Sequence, residues 1–339
     1  MNIAYQALIS ETKEKFEVLE GETILEAALR ANVQIAHQCQ IGMCSTCRIK
    51  LEFGSVKYGD QPDLLSPEEI AAGYVLSCQA QPTSDLVFHA ERRLPPCSSP
   101  REYKARISQL ELIALDVYKL TICLEDRHEL VYRAGQYANF MIGNNCYRSF
   151  SMASNNEFSQ IEFFIEKVPG GLFTDRMLSQ LNSGDELRVE LPFGSFAHHD
   201  DDYMPVIIAA TGTGIAPIKS MIETMSENPD CPPVSLYWGV RTEADLFLRD
   251  IEVWSKKLED FTYIPVLSQP SKSWSGRVGY VQDRVTEDFS DLSEYAIYLC
   301  GSAAMIDDAK KAFIKLNANI SHLYSDAFNF QESSMEIVV

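Results

Sequence analysis

Cys39-Gln-Ile-Gly-Met-Cys44-Ser-Thr-Cys47, with Cys78 further along, is the stretch from which the rest of the chain can be read. Its spacing is C-x4-C-x2-C with one remote partner, the ligand pattern of plant-type 2Fe-2S proteins. Such a cluster needs four thiolates around two irons. A loop supplying three of them can wrap it while backbone N–H groups donate to the sulfides, and Gly42 lets that loop bend close. The implied metal ligands are Cys39, Cys44, Cys47 and Cys78. Structural zinc is the alternative use of four cysteines, but zinc sites usually present two close pairs, which this layout lacks. Nine cysteines is an odd number, and the opening MNIAYQALISETKEK has no apolar signal core, so a disulfide framework is not expected.

Residues 1–92 show alternating segments at Ala4 to Ile9 and Phe16 to Leu19, then a helical pattern over Glu22 to Arg30. The Pro/Ser-rich run Arg93-Leu-Pro-Pro-Cys-Ser-Ser-Pro-Arg101 reads as a linker over 93–102, because adjacent prolines resist helix and central strand alike. Residues 103–202 read as short strands separated by turns, which predicts an antiparallel barrel. Over 203–339 apolar strands alternate with helical patterns, which predicts an α/β domain with a parallel sheet. The run His198-His-Asp-Asp-Asp202 between these two domains reads as a solvated connector rather than a metal site.

Within the barrel segment, Arg148-Ser149-Phe150-Ser151 lies in a strand, so Arg148 and Phe150 share one face and Ser149 and Ser151 the other. A guanidinium can take a diphosphate in bidentate fashion, and an aromatic ring can pack on an isoalloxazine. An ordinary strand with a surface arginine fits the tetrapeptide equally well. The turn Lys167-Val168-Pro-Gly-Gly171-Leu-Phe-Thr174 then enters a helical segment, where backbone N–H groups and the helix dipole can hold phosphate. A plain Pro-Gly-Gly turn with Thr174 near a cap is the structural alternative. Pro192-Phe-Gly-Ser195-Phe196 either borders the cofactor or ends the barrel.

In the third segment, Thr211-Gly212-Thr213-Gly214-Ile-Ala-Pro217 follows an apolar strand and opens a helix. Two glycines there let a diphosphate approach the backbone, and Pro217 in the first turn costs no hydrogen bond. This is not the Rossmann fingerprint: Pro217 replaces the third glycine, and no acid closes the second strand. Cys300-Gly301-Ser-Ala-Ala-Met305 sits at the carboxyl end of a later strand, the edge where open parallel sheets bind ligands. The Cys300 thiol either borders a nicotinamide there or packs in the core.

The 339 residues carry a formal charge of −19, which makes nucleic acid a poor partner, since phosphate backbones need a surplus of Lys and Arg. An acidic surface suits a basic protein partner or simply solubility. No apolar run approaches the roughly 20 residues of a membrane helix, so a cytoplasmic protein without an integral membrane segment is expected.

Together these segments resemble the reductase components of bacterial multicomponent oxygenases, such as those of benzoate dioxygenase and xylene monooxygenase. The resemblance extends to Gly73-Tyr-Val-Leu-Ser-Cys78-Gln, Pro82-Thr-Ser-Asp85 and Tyr324-Ser-Asp326-Ala-Phe328. It implies a β-grasp ferredoxin domain, a FAD-binding barrel and a ferredoxin reductase-like nicotinamide domain, with FAD, a 2Fe-2S cluster and NADH as cofactors. By resemblance, Arg148 contacts the flavin diphosphate and Ser151 lies near the reactive nitrogen. Cys300 and Asp326 line the hydride-transfer site, with Ser151 completing the catalytic set, and Phe328 covers the flavin ring. Phe150 stands where tyrosine is more usual, and Ser45 replaces a frequent glycine.

Ser268-Gln-Pro-Ser-Lys-Ser-Trp274-Ser-Gly276-Arg-Val-Gly279 resembles the NADH-using members, which lack the basic pair for a 2′-phosphate, although Arg241 and Lys272 keep NADPH open. The implied partner is a terminal oxygenase, met in a transient electron-transfer complex. A reductase for a deoxysugar dehydratase is a second enzymatic reading. A zinc-stabilised or redox-sensing module without turnover is a reading of another class.

Overall fold

Alternating burial along short strands builds the first part of the computed structural model. The structure describes residues 4–33, 35–37, 42, 47–59, 65, 67–90, 97–127, 130–143, 146–156, 159–199 and 203–328. They fall into two units, Met1–Pro95 with Gly194–Phe196, and Pro96–Phe193 with Ala197–Val339.

In the first unit Ala7 and Ile9 of β1 (Ala4–Ile9) and Phe16 and Val18 of β2 (Lys15–Leu19) face inward. Helix α1 (Ile24–Arg30) lays Ile24, Leu25, Ala27 and Ala28 on the same core. The chain continues through β3 (Arg48–Phe53), β4 (Val56–Lys57), α2 (Pro67–Ala71), β5 (Tyr74–Leu76), β6 (Gln81–Pro82) and β7 (Leu86–His89). The main sheet has the order β2-β1-β7-β3-β5, with β1 and β7 parallel and the other pairs antiparallel. This sheet gripping one principal helix is the expected β-grasp. The helix starts at Ile24 rather than at Glu22 because Thr23 caps it: the Thr23 hydroxyl accepts from Glu26 N–H at 3.2 Å, and the Glu26 carboxylate accepts from Thr23 N–H at 2.8 Å. Glu22 is left outside, paired with Arg30 at 2.8 Å.

In the second unit, β8 (Arg101–Leu112), β9 (Val117–Leu124), β10 (Tyr137–Gly143), β11 (Cys146–Ser151), β12 (Gln160–Glu166) and β13 (Glu186–Phe193) form an antiparallel sheet of order β11-β10-β13-β8-β9-β12. A bridge between Met152 and Phe163 joins its two edges and closes the barrel. Ile161, Phe163 and Ile165 of β12 point into that barrel, which leaves Glu162, Phe164 and Glu166 on the opposite face.

The remaining elements are β14 (Val206–Thr211), α3 (Ile215–Met225), β15 (Val234–Val240), α4 (Ile251–Lys257), β16 (Phe261–Leu267), β17 (Arg277–Val278), α5 (Val281–Asp288), β18 (Ala296–Ser302), α6 (Ala303–Ile314) and β19 (Leu323–Phe328). The sheet order β17-β16-β15-β14-β18-β19 is parallel throughout. The chain runs outward from β14 to one side and returns to the other at β18. The crevice beyond the carboxyl ends of these two neighbours is therefore the topological switch point.

The described part of the connector is not solvated as expected. His199 stacks on Tyr324 at 4.4 Å, Tyr324 stacks on the buried Tyr298 at 4.7 Å, and the Tyr298 oxygen accepts from His199 N–H at 3.0 Å. Two aromatic residues presented side by side on the parallel β18 and β19 offer the imidazole a flat surface to cover. Asp200, Asp201 and Asp202 lie outside the described residues.

Candidate active site

The cysteine site is built on the start of α1. Helix-initial N–H groups lack partners within the helix; here Ile24 N–H donates to Ala80 O at 3.0 Å and Leu25 N–H to Ser77 O at 2.9 Å, which pins the turn bearing Cys78. Ser77 N–H in turn donates to Cys47 O at 3.0 Å. The two sulfurs approach to 3.1 Å and both residues are buried. This is well beyond a disulfide bond of about 2.05 Å, yet close enough for one metal ion at about 2.3 Å to reach both.

The Ser77 hydroxyl, next to Cys78 in sequence, is fully buried with no partner among the described residues. Gln79 Nε2 donates to Cys78 O at 3.0 Å and lies 3.8 Å from Cys78 Sγ. Burial pushes the Tyr58 phenol up to about 12, with Cys47 and Cys78 adding to the effect. Two thiols, an orphaned hydroxyl and a neutral phenol suit an anionic sulfur cluster. Cys39, Cys44 and Ser45 lie outside the described residues.

On the barrel, β11 pairs with β10 so that Ser151 faces Tyr137, Phe150 faces Ala138, Ser149 faces Asn139 and Arg148 faces Phe140. Phe150 packs edge-on against Phe140 and tilted on Phe173, both at 5.4 Å, so part of its ring belongs to the barrel core. Phe150 and Phe173 together bring the Arg148–Ser151 strand and the Lys167–Thr174 turn side by side. The exposed Ser149 hydroxyl donates to Asn139 Oδ1 at 2.7 Å, directly across the ladder. Ser151 is buried. Arg148 is half-buried and donates to Tyr147 O at 2.8 Å.

The turn after β12 is tied by its own contacts. It enters a π-helical turn, Leu172–Met177. Thr174 Oγ1 accepts from Val168 N–H at 3.2 Å, Gly171 N–H donates to Val168 O at 2.9 Å, and Gly170 N–H donates to Asp175 at 2.8 Å. Lys167 pairs with Asp175 at 3.1 Å. A carboxylate from the next turn thus occupies part of the anion-binding capacity, and Gly170 and Lys167 are engaged by it.

At the switch point the predicted residues converge. A Cβ on Gly214 would lie 2.5 Å from Cys300 O, and one on Gly301 would overlap the Thr211 hydroxyl. Glycine at both positions is what lets the β14 and β18 turns touch. Ser302 caps α6 by accepting from Met305 N–H at 3.3 Å, which brings Met305 against Gly301. Cys300 pairs with Asp326, and Ser302 with Phe328, along β19. Cys300 and Asp326 are buried, and burial, with the Asp326 charge adding, pushes the Cys300 thiol well up. The thiol is neutral. Pro217 is buried in the first turn of α3 and offers no surface to a ligand.

Models of three families match along the chain: a 2Fe-2S iron-sulfur cluster binding domain over residues 8–83, an oxidoreductase FAD-binding domain over 104–198 and an oxidoreductase NAD-binding domain over 208–311. A CDP-6-deoxy-L-threo-D-glycero-4-hexulose-3-dehydrase reductase of Yersinia pestis is 32% identical over 90% of this chain and 93% of its own. Reductase component 2 of terephthalate 1,2-dioxygenase from Comamonas sp is 31% identical over 96% of this chain and 97% of its own. The crystal structure of an Amycolatopsis cytochrome P450 reductase superposes with a TM-score of 0.72 at 29% identity, covering 96% of this chain and 98% of that one. This chain belongs to the iron–sulfur flavoprotein reductases.

As such a reductase it is an oxidoreductase with domains for a 2Fe-2S cluster, FAD and a nicotinamide. Among its described residues no helix is long and apolar enough to cross a membrane. Two further contacts around the glycine turn have no local signal in the sequence. Trp238 of β15 donates its indole N–H to Gly212 O at 3.0 Å and so holds the glycine turn from behind. Phe247 links Trp238 at 5.1 Å to Phe164 of the barrel at 5.2 Å.

Glu243 lies three residues past β15, at the start of the short turn Glu243–Asp245. Its carboxylate accepts from Ser271 N–H at 3.1 Å and from the Ser271 hydroxyl, which hold it below its ordinary range. Arg241 lies 3.8 Å from Asp116 and 4.0 Å from Glu166, so its charge is directed to the barrel.

Proposed function

We propose that this reductase takes electrons from NADH and delivers them singly to a terminal oxygenase, either a Rieske ring-hydroxylating dioxygenase or a di-iron monooxygenase, in a transient complex in the cytoplasm. Its working domains are 1–92, 103–202 and 203–339, joined by the linker 93–102. When bound, FAD would supply a carrier able to hold one or two electrons, and the cluster one that holds a single electron.

In this reading Cys39, Cys44, Cys47 and Cys78 hold the iron. Arg148 neutralises the flavin diphosphate, while Ser151, buried at the end of β11, donates its hydroxyl toward the flavin edge. Phe150 supports the ring from the barrel side. The Thr211–Gly214 turn and Gly301 leave room for the dinucleotide. Neutral Cys300 and buried Asp326 border the nicotinamide, with Phe328 on the far side. No side chain is required to exchange a proton with a substrate; the task is alignment.

The observation that carries the proposal is the convergence of Cys47 and Cys78 in a domain added to a flavin and nicotinamide module. A one-electron carrier is needed when the final acceptor takes electrons singly. A second reading, delivery to a deoxysugar dehydratase, is favoured by the 32% identity to the Yersinia pestis reductase.

Anaerobic mixing separates them. The protein reduced with one equivalent of NADH is added to a purified oxidised Rieske oxygenase, to a di-iron hydroxylase and to an iron–sulfur dehydratase. Rapid reoxidation by either oxygenase is expected. Reoxidation by the dehydratase alone supports the second reading, and failure of NADH to bleach the flavin refutes both.

A further inference from the structure

The outward face of β12 meets the nicotinamide domain at three successive positions: Glu162 reaches Lys219 of α3 at 3.2 Å, Phe164 reaches Phe247, and Glu166 reaches Arg241. Lys219 is the unusual member. Its helix begins at the Gly212–Gly214 turn, yet the lysine is only 5% exposed. Its ammonium also pairs with Glu223 one turn along, and Glu162 is shared with Lys119 of β9. Around this cluster, Glu223 accepts from Asn155 N–H at 3.3 Å and the Ser220 hydroxyl donates to Ser154 O at 2.9 Å. The Tyr132 hydroxyl donates to Asn155 O at 2.6 Å.

Ser154 and Asn155 follow closely on Ser151, so the cluster ties the end of the flavin strand to the helix that presents the glycine turn. Apolar side chains could dock these domains at least as stably, because desolvating three charges offsets most of their attraction. Directional ion pairs and hydrogen bonds, in contrast, set one register and penalise every other.

We propose that Lys219 is a positioning residue: through Glu162 and Glu223 it fixes the register between the Ser151–Asn155 strand end and the Gly212–Gly214 turn, and with it the approach of nicotinamide to flavin. The inference rests on the reductase function proposed above. A displacement of about 1 Å at a reacting centre can cost about 100-fold in rate.

The test uses the FAD-loaded full chain as wild type, Lys219→Met, Lys219→Arg and Ser220→Ala. Single-turnover flavin reduction by NADH is followed by stopped flow, and amide exchange is measured alongside it. Lys219→Met should slow the reduction step roughly 10- to 100-fold, with NADH affinity within about twofold and faster exchange at Asn155. Lys219→Arg should recover most of the rate, and Ser220→Ala should slow it in the same direction by less. Should Lys219→Met not fold, Ser220→Ala and Glu223→Gln carry the same comparison. Variants that lose thermal stability but keep the wild-type reduction step would overturn the proposal. A wild type that NADH does not reduce would instead overturn the reductase reading.

Discussion

Gly214 stands directly against Cys300, so close that a methyl group on the glycine would lie 2.5 Å from the cysteine's carbonyl oxygen. The obstacle is backbone on a central strand, which cannot swing aside as a side chain would. Gly214→Ala should therefore push the β14 and β18 turns apart, at a cost of about 1–3 kcal/mol for overpacking. The expected result is a lower urea midpoint together with a raised KM for NADH, while dithionite still reduces the flavin at the wild-type rate. An unchanged KM would mean that the turn does not border the nicotinamide.

Cys300 and Asp326 face one another in register, both buried, and burial with the Asp326 charge raises the thiol well above its ordinary value. An unfolded cysteine loses its proton near about pH 8.5, whereas the folded one keeps it. Because the folded value is the higher, the thiol's contribution to stability is complete below the unfolded value and is lost as pH rises toward the folded one. The urea midpoint of wild type should fall more steeply above about pH 8.5 than that of Cys300→Ala. Equal slopes would contradict the burial argument.

How far the site could be read from sequence follows from how local each signal is. The cysteine spacing and the Thr211–Gly214 turn announce themselves because a cluster loop and a tight strand-to-helix turn each need particular residues at fixed short offsets. Lys219 does not, since within Ile215–Met225 it reads as an ordinary polar position; it is buried because Glu162 arrives from another domain. Trp238 and Phe247 were invisible for the same reason. The Lys167–Thr174 turn carries a less specific signal: its Pro-Gly-Gly composition fits a phosphate cradle and a plain turn alike, and only the fold shows Asp175, the next residue along, engaging Gly170 and Lys167.

Cys47 and Cys78 belong to the first unit, whereas the flavin and nicotinamide residues belong to the second. The two half-reactions should therefore separate by mutation. Cys78→Ser should abolish stoichiometric iron and sulfide while NADH still bleaches the flavin and still supports reduction of ferricyanide, an acceptor that can draw on the flavin directly. Delivery to an iron–sulfur acceptor should be lost. Loss of both activities with the flavin still bound would show that the units do not function independently.

Glu243 is predicted to set the preference between NADH and NADPH. Its carboxylate is held by Ser271 past the carboxyl end of β15, the edge at which open parallel sheets bind dinucleotides. A 2′-phosphate there would add a charge of about −1.5 to −2 beside a carboxylate, and the nearby Arg241 already has Asp116 at 3.8 Å and Glu166 at 4.0 Å as acidic neighbours. NADH should therefore be preferred over NADPH by about 100-fold or more in kcat/KM, a difference of about 2.7 kcal/mol. Glu243→Gln should narrow that ratio roughly tenfold, about 1.4 kcal/mol, chiefly by lowering the KM for NADPH. The charge loss leaves the hydride-transfer residues untouched, so kcat with NADH should stay within about twofold of wild type. Were the ratio unmoved by Glu243→Gln, the preference would have to come from the Ser268–Trp274 segment instead, and substitutions at Gln269 and Lys272 would then shift it.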